Sequence, residues 1–206
     1  MTLTYPEEIK LNDNKRIINK VLKKRISLKI NNFSLQEDFV NDCSCVSFVL
    51  KCNGNKEQQT LDISNKGSGV IDAVYTGVLE KFKDRYISLQ EVVLHDFIVT
   101  VDFKGSKTIL NTDAPVEVKI ALLGTSSARN KLYFKAKSNS LVKSGIMAVC
   151  KAMEYLINSE LAAIQLYKDI QSANKRQRTD LQDVYVSQLS ALVEFVSYAE
   201  VIERSK

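Results

Sequence analysis

Two glycines one residue apart stand just before a helical pattern, in Lys66-Gly67-Ser68-Gly69-Val70-Ile71-Asp72-Ala73. Glycine accepts positive φ and lets another group approach the backbone. The N–H groups exposed at the start of a helix suit an anion. Asp72 falls in the first turn, where the helix dipole stabilises a carboxylate. The competing reading, a tight strand-to-helix connection, is the better one on this stretch alone, because a Gly-x-Gly turn is a weak signal by itself.

Other chemistry-bearing residues are sparse. The one histidine, His95, lies in an alternating strand pattern and reads as a packed or surface residue. Cys43-x-Cys45 places two thiols on one strand face, but no second pair completes a zinc site. Buried, reduced cysteine is the expectation for this pair, with Cys52 and Cys150 also reduced. No Walker loop, nucleophile elbow or Cys–His pair can be assembled. No carboxylate spacing commits two acids to one cleft. The sequence therefore points away from an enzyme, and implies no cofactor and no metal.

A net charge of +5 is modest, and the basic residues are dispersed among 24 acidic ones. That distribution does not indicate nucleic acid. The one stretch with aromatics among lysines, Lys131-Leu132-Tyr133-Phe134-Lys135-Ala136-Lys137, needs Phe134 for the core. No apolar run approaches the ~20 residues that span a bilayer. The acidic start has no signal-peptide core. The expectation is a cytoplasmic protein with no membrane contact.

The elements that position these residues follow from periodicity. Residues 1–24 read as an irregular lead-in with a short basic helix capped at Asn12 or Asp13. Ile26, Leu28 and Ile30 alternate as a strand. Val46, Phe48, Leu50 and Cys52 make one face of a second strand, Asn53-Gly54 signals a hairpin, and Gln59, Leu61 and Ile63 make a third. A helix follows to about Lys83. Its apolar face carries Val70, Ile71, Val74, Tyr75, Val78, Leu79 and Phe82, with Gly77 placed for close packing.

The second half repeats the order. Val93, His95, Phe97, Val99 and Val101 alternate, then Val116, Val118, Ile120 and Leu122, then Leu132, Phe134 and Ala136. Ser138-Asn139-Ser140 offers caps for a helix from Leu141 to Asn158 that can run on toward Ile170, with Lys143, Lys151 and Glu154 on its polar side. Two βββα units, 25–84 and 86–158, offset by roughly 65–70 residues, suggest internal duplication. The fold class is α+β: duplicated βββα units with sheets packed on helices, and extra helices at both ends. Residues 159–206 form a helical extension. Its last helix has a capping box at Thr179–Gln182 and a seam through Tyr185, Leu189, Leu192, Val196 and Ala199. That seam is expected to pack on its own domain rather than on a second copy.

Gly67-Ser68-Gly69-Val70-Ile71-Asp72-Ala73 resembles the Gly-x-Gly-Pro-Val-Asp-Ala motif of the C-terminal regulatory domain of 2-isopropylmalate synthase, a domain shared with citramalate synthases. Tyr86-Ile87-Ser88-Leu89, Thr112-Asp113-Ala114 with the strand after it, and the helix from Leu141 resemble later parts of that domain. The similarity covers about residues 25–158. It implies two βββα units that dimerise, and feedback regulation by leucine or isoleucine. By the same resemblance, Gly67, Ser68, Gly69, Ile71, Asp72 and Ala73 line one side of an effector pocket, with Asp113, Ala114, Ser138, Asn139 and Ser140 near the other. Val70 stands where that family has proline, and Ser138-Asn139-Ser140 replaces its second glycine turn. The family's catalytic barrel carries a metal-binding His-x-His pair, which a chain with one histidine lacks. The expectation is a regulatory module that binds a branched-chain amino acid and acts on a separate synthase subunit. The alternative is an interaction module that keeps only the dimerisation fold.

Overall fold

The computed structural model describes residues 5–54, 58–101, 114–124, 131–193 and 195–204. It is mixed α+β and built from the expected repeat. In the first unit β1 (Ser27–Asp38), β2 (Cys43–Asn53) and β3 (Gln58–Gly67) form an antiparallel sheet in chain order, followed by α2 (Val70–Phe82). In the second unit β4 (Val92–Val101), β5 (Val116–Gly124) and β6 (Lys131–Ser138) do the same, followed by α3 (Leu141–Lys175). A 3-10 turn, Ile87–Glu91, joins the units. The second strands of both sheets bury alternate residues, Val46, Phe48, Leu50 and Cys52 in one and Val118, Ile120 and Leu122 in the other. Period-two burial on one face is what an antiparallel sheet with a single covered side requires.

Two bulges alter the expected strands. In β1 the register shifts between Asn31 and Ser34, and Asn32 takes a φ of 49°. The extra residue reverses the parity of the strand, so the apolar set passes from Leu28 and Ile30 to Phe33, which stacks on Phe48 with ring centroids 6.1 Å apart. The alternation therefore breaks at residue 31 although the strand continues to Asp38. In β4 the shift lies between Leu94 and Asp96, which makes His95 the bulged residue and turns Val93 away from the face of Phe97. The single alternating face expected through Val93, His95 and Phe97 is corrected accordingly.

The helices hold the units together. Gly77 of α2 lies against β3, where a Cβ would come within 3.0 Å of Ile63 Cγ2, so its small size serves close packing. The helix α3 runs unbroken through Asn158 to Lys175 and packs on α2, on β5 and β6 of its own unit, and on β1 of the other. Along the β1 edge, Asn158 imitates a neighbouring strand. Its Oδ1 accepts from Ile26 N at 2.8 Å and its Nδ2 donates to Ile26 O at 2.8 Å. Glu154 Oε1 accepts from Leu28 N at 2.6 Å. Helix side chains thus satisfy backbone groups that an open edge would leave exposed to stray pairing. The buried cluster runs from Leu11 and Ile18 through both sheets to Val196 and Val201.

The terminal segments differ from expectation. The helix α1 spans Tyr5–Val21, so Asn12 and Asp13 lie inside it and cap nothing. Near the other end, α4 (Thr179–Val193) begins on the carbonyl of Arg178, to which Gln182 N donates at 3.1 Å. Thr179 is consequently inside the helix, not its cap. The seam through Ala199 is broken between α4 and α5 (Ala199–Arg204), with Phe195, Val196 and Tyr198 buried in the break. Leu192 and Val196 of the seam are buried against their own chain, as expected, whereas Ala199 is exposed. No described helix is long and apolar enough to cross a membrane.

Candidate functional site

The β3–α2 turn is a self-contained capping device. Asp72 Oδ2 accepts from Ser68 N at 3.0 Å and from Ser68 Oγ at 3.2 Å. The carboxylate in the first turn reaches back to the residue before the cap, so both hydrogen bonds fall on one oxygen. Neither glycine takes positive φ. Gly69, the N-cap residue, has an extended φ of −175° and no side-chain cap. Gly67 is required by space instead, since a Cβ there would sit 2.5 Å from Ala73 N. The positive φ that the two glycines suggested is thus replaced by close approach at one of them. Ile71 and Ala73 are buried.

The opposite group of expected residues is also internally bonded. Ser138 Oγ donates to Ser140 O at 2.8 Å and lies 2.8 Å from Ser144 Oγ. Ser144 Oγ donates to Val116 O at 2.8 Å, which ties the opening of α3 to the first residue of β5. Ser140 is the N-cap, its Oγ accepting from Lys143 N at 3.3 Å. Ala114 is buried, Asn139 is exposed, and Asp113 lies outside the described residues. The two groups approach through Ile71 and Gly145. A Cβ on Gly145 would come within 2.1 Å of Ile71 Cδ1, so the first turn of α2 rests on the second turn of α3.

Two clefts lie elsewhere, and residues 67–73 line neither. One, of about 660 Å³, runs between β1 and the first half of α3 and touches Ser140. The other, of about 470 Å³, lies among α1, β6 and α3. Lys151 and Glu154 border both. Burial raises the Glu154 carboxyl above its ordinary range, against the opposing pull of Leu28 N–H, Lys151 and Arg25. Glu154 was expected with Lys143 and Lys151 on the polar side of the helix. Of the three, Glu154 is turned toward β1, where it meets Leu28 N, while Lys143 and Lys151 stay exposed. Helical periodicity places the three together, but only the packing of α3 across the other unit makes them the border of a cleft.

The cysteine expectation also needs correcting. Cys45 is exposed and Cys43 only half-buried, because they occupy the outer face of β2 opposite Ser44 and Val46. A Cys43 hydrogen bond helps raise the Lys66 ammonium above its usual value. Cys52 and Cys150 are buried, and burial pushes the Cys150 thiol up to about 12. In β6, Phe134 is buried as the core required, while Lys119 lies over the Tyr133 ring at 5.4 Å. No family model matches the chain, and no curated protein matches it.

Proposed function

We propose that this chain is a non-catalytic regulatory module of the kind attached to 2-isopropylmalate synthases, which senses a branched-chain amino acid where α2 and α3 open and signals to a synthase partner. The observation that supports this reading is the duplicated βββα architecture, with the two helix openings in contact through Ile71 and Gly145. The parts suit a small zwitterion. Backbone N–H groups at Val70 and Ile71 offer a carboxylate site at a helix start. Asp72 supplies a countercharge to the ammonium.

A ligand that binds only the folded chain stabilises it by about 2.7 kcal/mol at a hundredfold excess over Kd. For a chain of this size that raises Tm by roughly 5–10 °C. Leucine, isoleucine or valine should therefore raise Tm in a thermal scan. Asp72→Asn, which keeps an acceptor for Ser68, should abolish the rise. An unchanged Tm with all three amino acids at millimolar concentration would count against amino-acid sensing.

A second reading, an interaction module, is favoured by β4. Phe97, Val99 and Val101 pair with Ile120, Val118 and Val116, so they share the apolar inner face of the sheet. Each is nevertheless about 40% exposed. In this reading a homodimer covers that face, and Val99→Lys should halve the mass seen by light scattering without changing the circular dichroism spectrum. A wild-type monomer would exclude it.

A further inference from the structure

The cleft between β1 and α3 is built for a different guest from the helix openings. Its walls are apolar, with Leu28, Ile30 and Phe33 from the strand facing Val142, Ile146 and Cys150 from the helix. At its border stand Lys29, Lys143 and Lys151, all exposed; Lys29 alternates to the other strand face from Leu28 and Ile30, and Lys151 Nζ donates to Lys135 O at 3.0 Å. Against these three ammonium groups there is one carboxylate among the lining residues, Glu154, and its Oε1 is engaged by Leu28 N. The cleft therefore combines an elongated apolar floor with a cationic rim.

Volume separates the possible guests. Ligand clefts run from about 300 to 1,000 Å³, and this one, at about 660 Å³, is far larger than a branched-chain amino acid. A second copy of this chain, with its own net charge of +5, is poorly matched to a lysine rim. A nucleic acid would meet apolar walls where it needs polar ones.

We propose that this cleft binds an anionic single-chain amphiphile, with its tail laid between β1 and α3 and its head group held by Lys143 and Lys151 of the helix. The tail supplies affinity by leaving water, and the rim selects for negative charge. The high pKa of the buried Cys150 thiol suits a passive wall rather than a reactive group.

The test is calorimetric titration of the intact chain with dodecanoate below its critical micelle concentration. Dodecanol and acetate serve as tail-only and charge-only controls. Saturable binding at one site is expected, with affinity rising about fourfold per methylene from octanoate upward until the floor is filled. The Lys143→Glu, Lys151→Glu double variant should weaken dodecanoate at least tenfold and leave dodecanol unchanged. Met147→Trp, at a half-exposed lining position, should block both. Circular dichroism and Tm establish that each variant is folded. The proposal is overturned if folded wild type shows no saturable dodecanoate binding, or if both variants bind as wild type does. It is equally overturned if Met147→Trp dissociates a dimer, which would make a second copy the occupant. None of these outcomes depends on the leucine response, so the two readings stand or fall separately.

Discussion

Gly67→Ala is expected to destabilise the chain severely, whereas Gly69→Ala is expected to leave it nearly unchanged. At Gly67 an added methyl would stand 2.5 Å from Ala73 N, 2.8 Å from Ala73 Cα and 2.7 Å from Asp72 Oδ2. Two of these three neighbours are backbone, so relief requires the start of α2 to move away from β3. Such overpacking costs about 1–3 kcal/mol, and the backbone neighbours place this case at the upper end. At Gly69 an added methyl meets nothing within 4 Å, and the extended φ suits any residue. There the lower entropy of the unfolded chain, about 0.4–1 kcal/mol, is set against the poorer fit of alanine at an N-cap, which leaves little net change. Urea denaturation with unchanged m-values measures both. Equal losses at the two positions would refute the packing described for the β3–α2 turn.

Glu160→Ala should cost a comparable amount for a different reason. Glu160 is 2% exposed, and its Oε2 accepts from Ser88 N at 3.0 Å and from Ser88 Oγ. Ser88 is itself buried in the 3-10 turn that joins the units. Truncation strands two buried donors and opens a cavity, a loss of about 3 kcal/mol. The same site gives a pH signature. Burial raises the Glu160 pKa, with the Ser88 and Ile87 hydrogen bonds pulling it down only in part. Its titratable neighbours Tyr86 and Tyr198 are themselves held neutral by burial.

A carboxyl with a raised folded-state pKa is protonated more readily in the native chain than in the unfolded one. Its contribution is greatest below the ordinary carboxyl value of 4.5 and is lost as pH rises from there through the folded value. Glu154 acts in the same direction. Asp38 and Asp180, whose pKa values are lowered by hydrogen bonds from Asn41 and Arg178, act in the opposite one. The informative quantity is therefore the difference from Glu160→Gln, which keeps an acceptor for Ser88 but does not titrate. The stability of wild type relative to Glu160→Gln should fall as pH rises across that window. A pH-independent difference would show that Glu160 is not titrating from a buried state.

Much of the architecture was legible because periodicity belongs to a single element. Val46–Cys52 and Val116–Leu122 each announce a strand with one apolar face, and both bury that face, although β5 buries Ala121 on its other side as well. The helix from Leu141 and its continuation past Asn158 follow from apolar spacing alone. Where an element carries a local irregularity, the pattern misleads. The bulge at His95 shifts one strand by a residue, and the alternating side chains conceal it. Two glycines of the same type and nearly the same position differ entirely in what they face. Asn12 and Asp13 resembled helix caps because capping chemistry is common, yet α1 already runs from Tyr5.

The amino-acid sequence by itself determined the α+β class, the order of two βββα units and most of the inward-facing residues, since these depend on chemistry within a dozen positions. Only the tertiary structure decided that Asn158 completes the edge at Ile26, 132 residues away. It also decided that Ile71 rests on Gly145, and that Glu154 reaches the β1 edge at Leu28 while Lys143 and Lys151 stay exposed at the rim of a cleft. Such juxtapositions arise when one long helix packs across two sheets at once. No local pattern encodes them, because the surfaces that meet are chosen by what the whole chain can bury together.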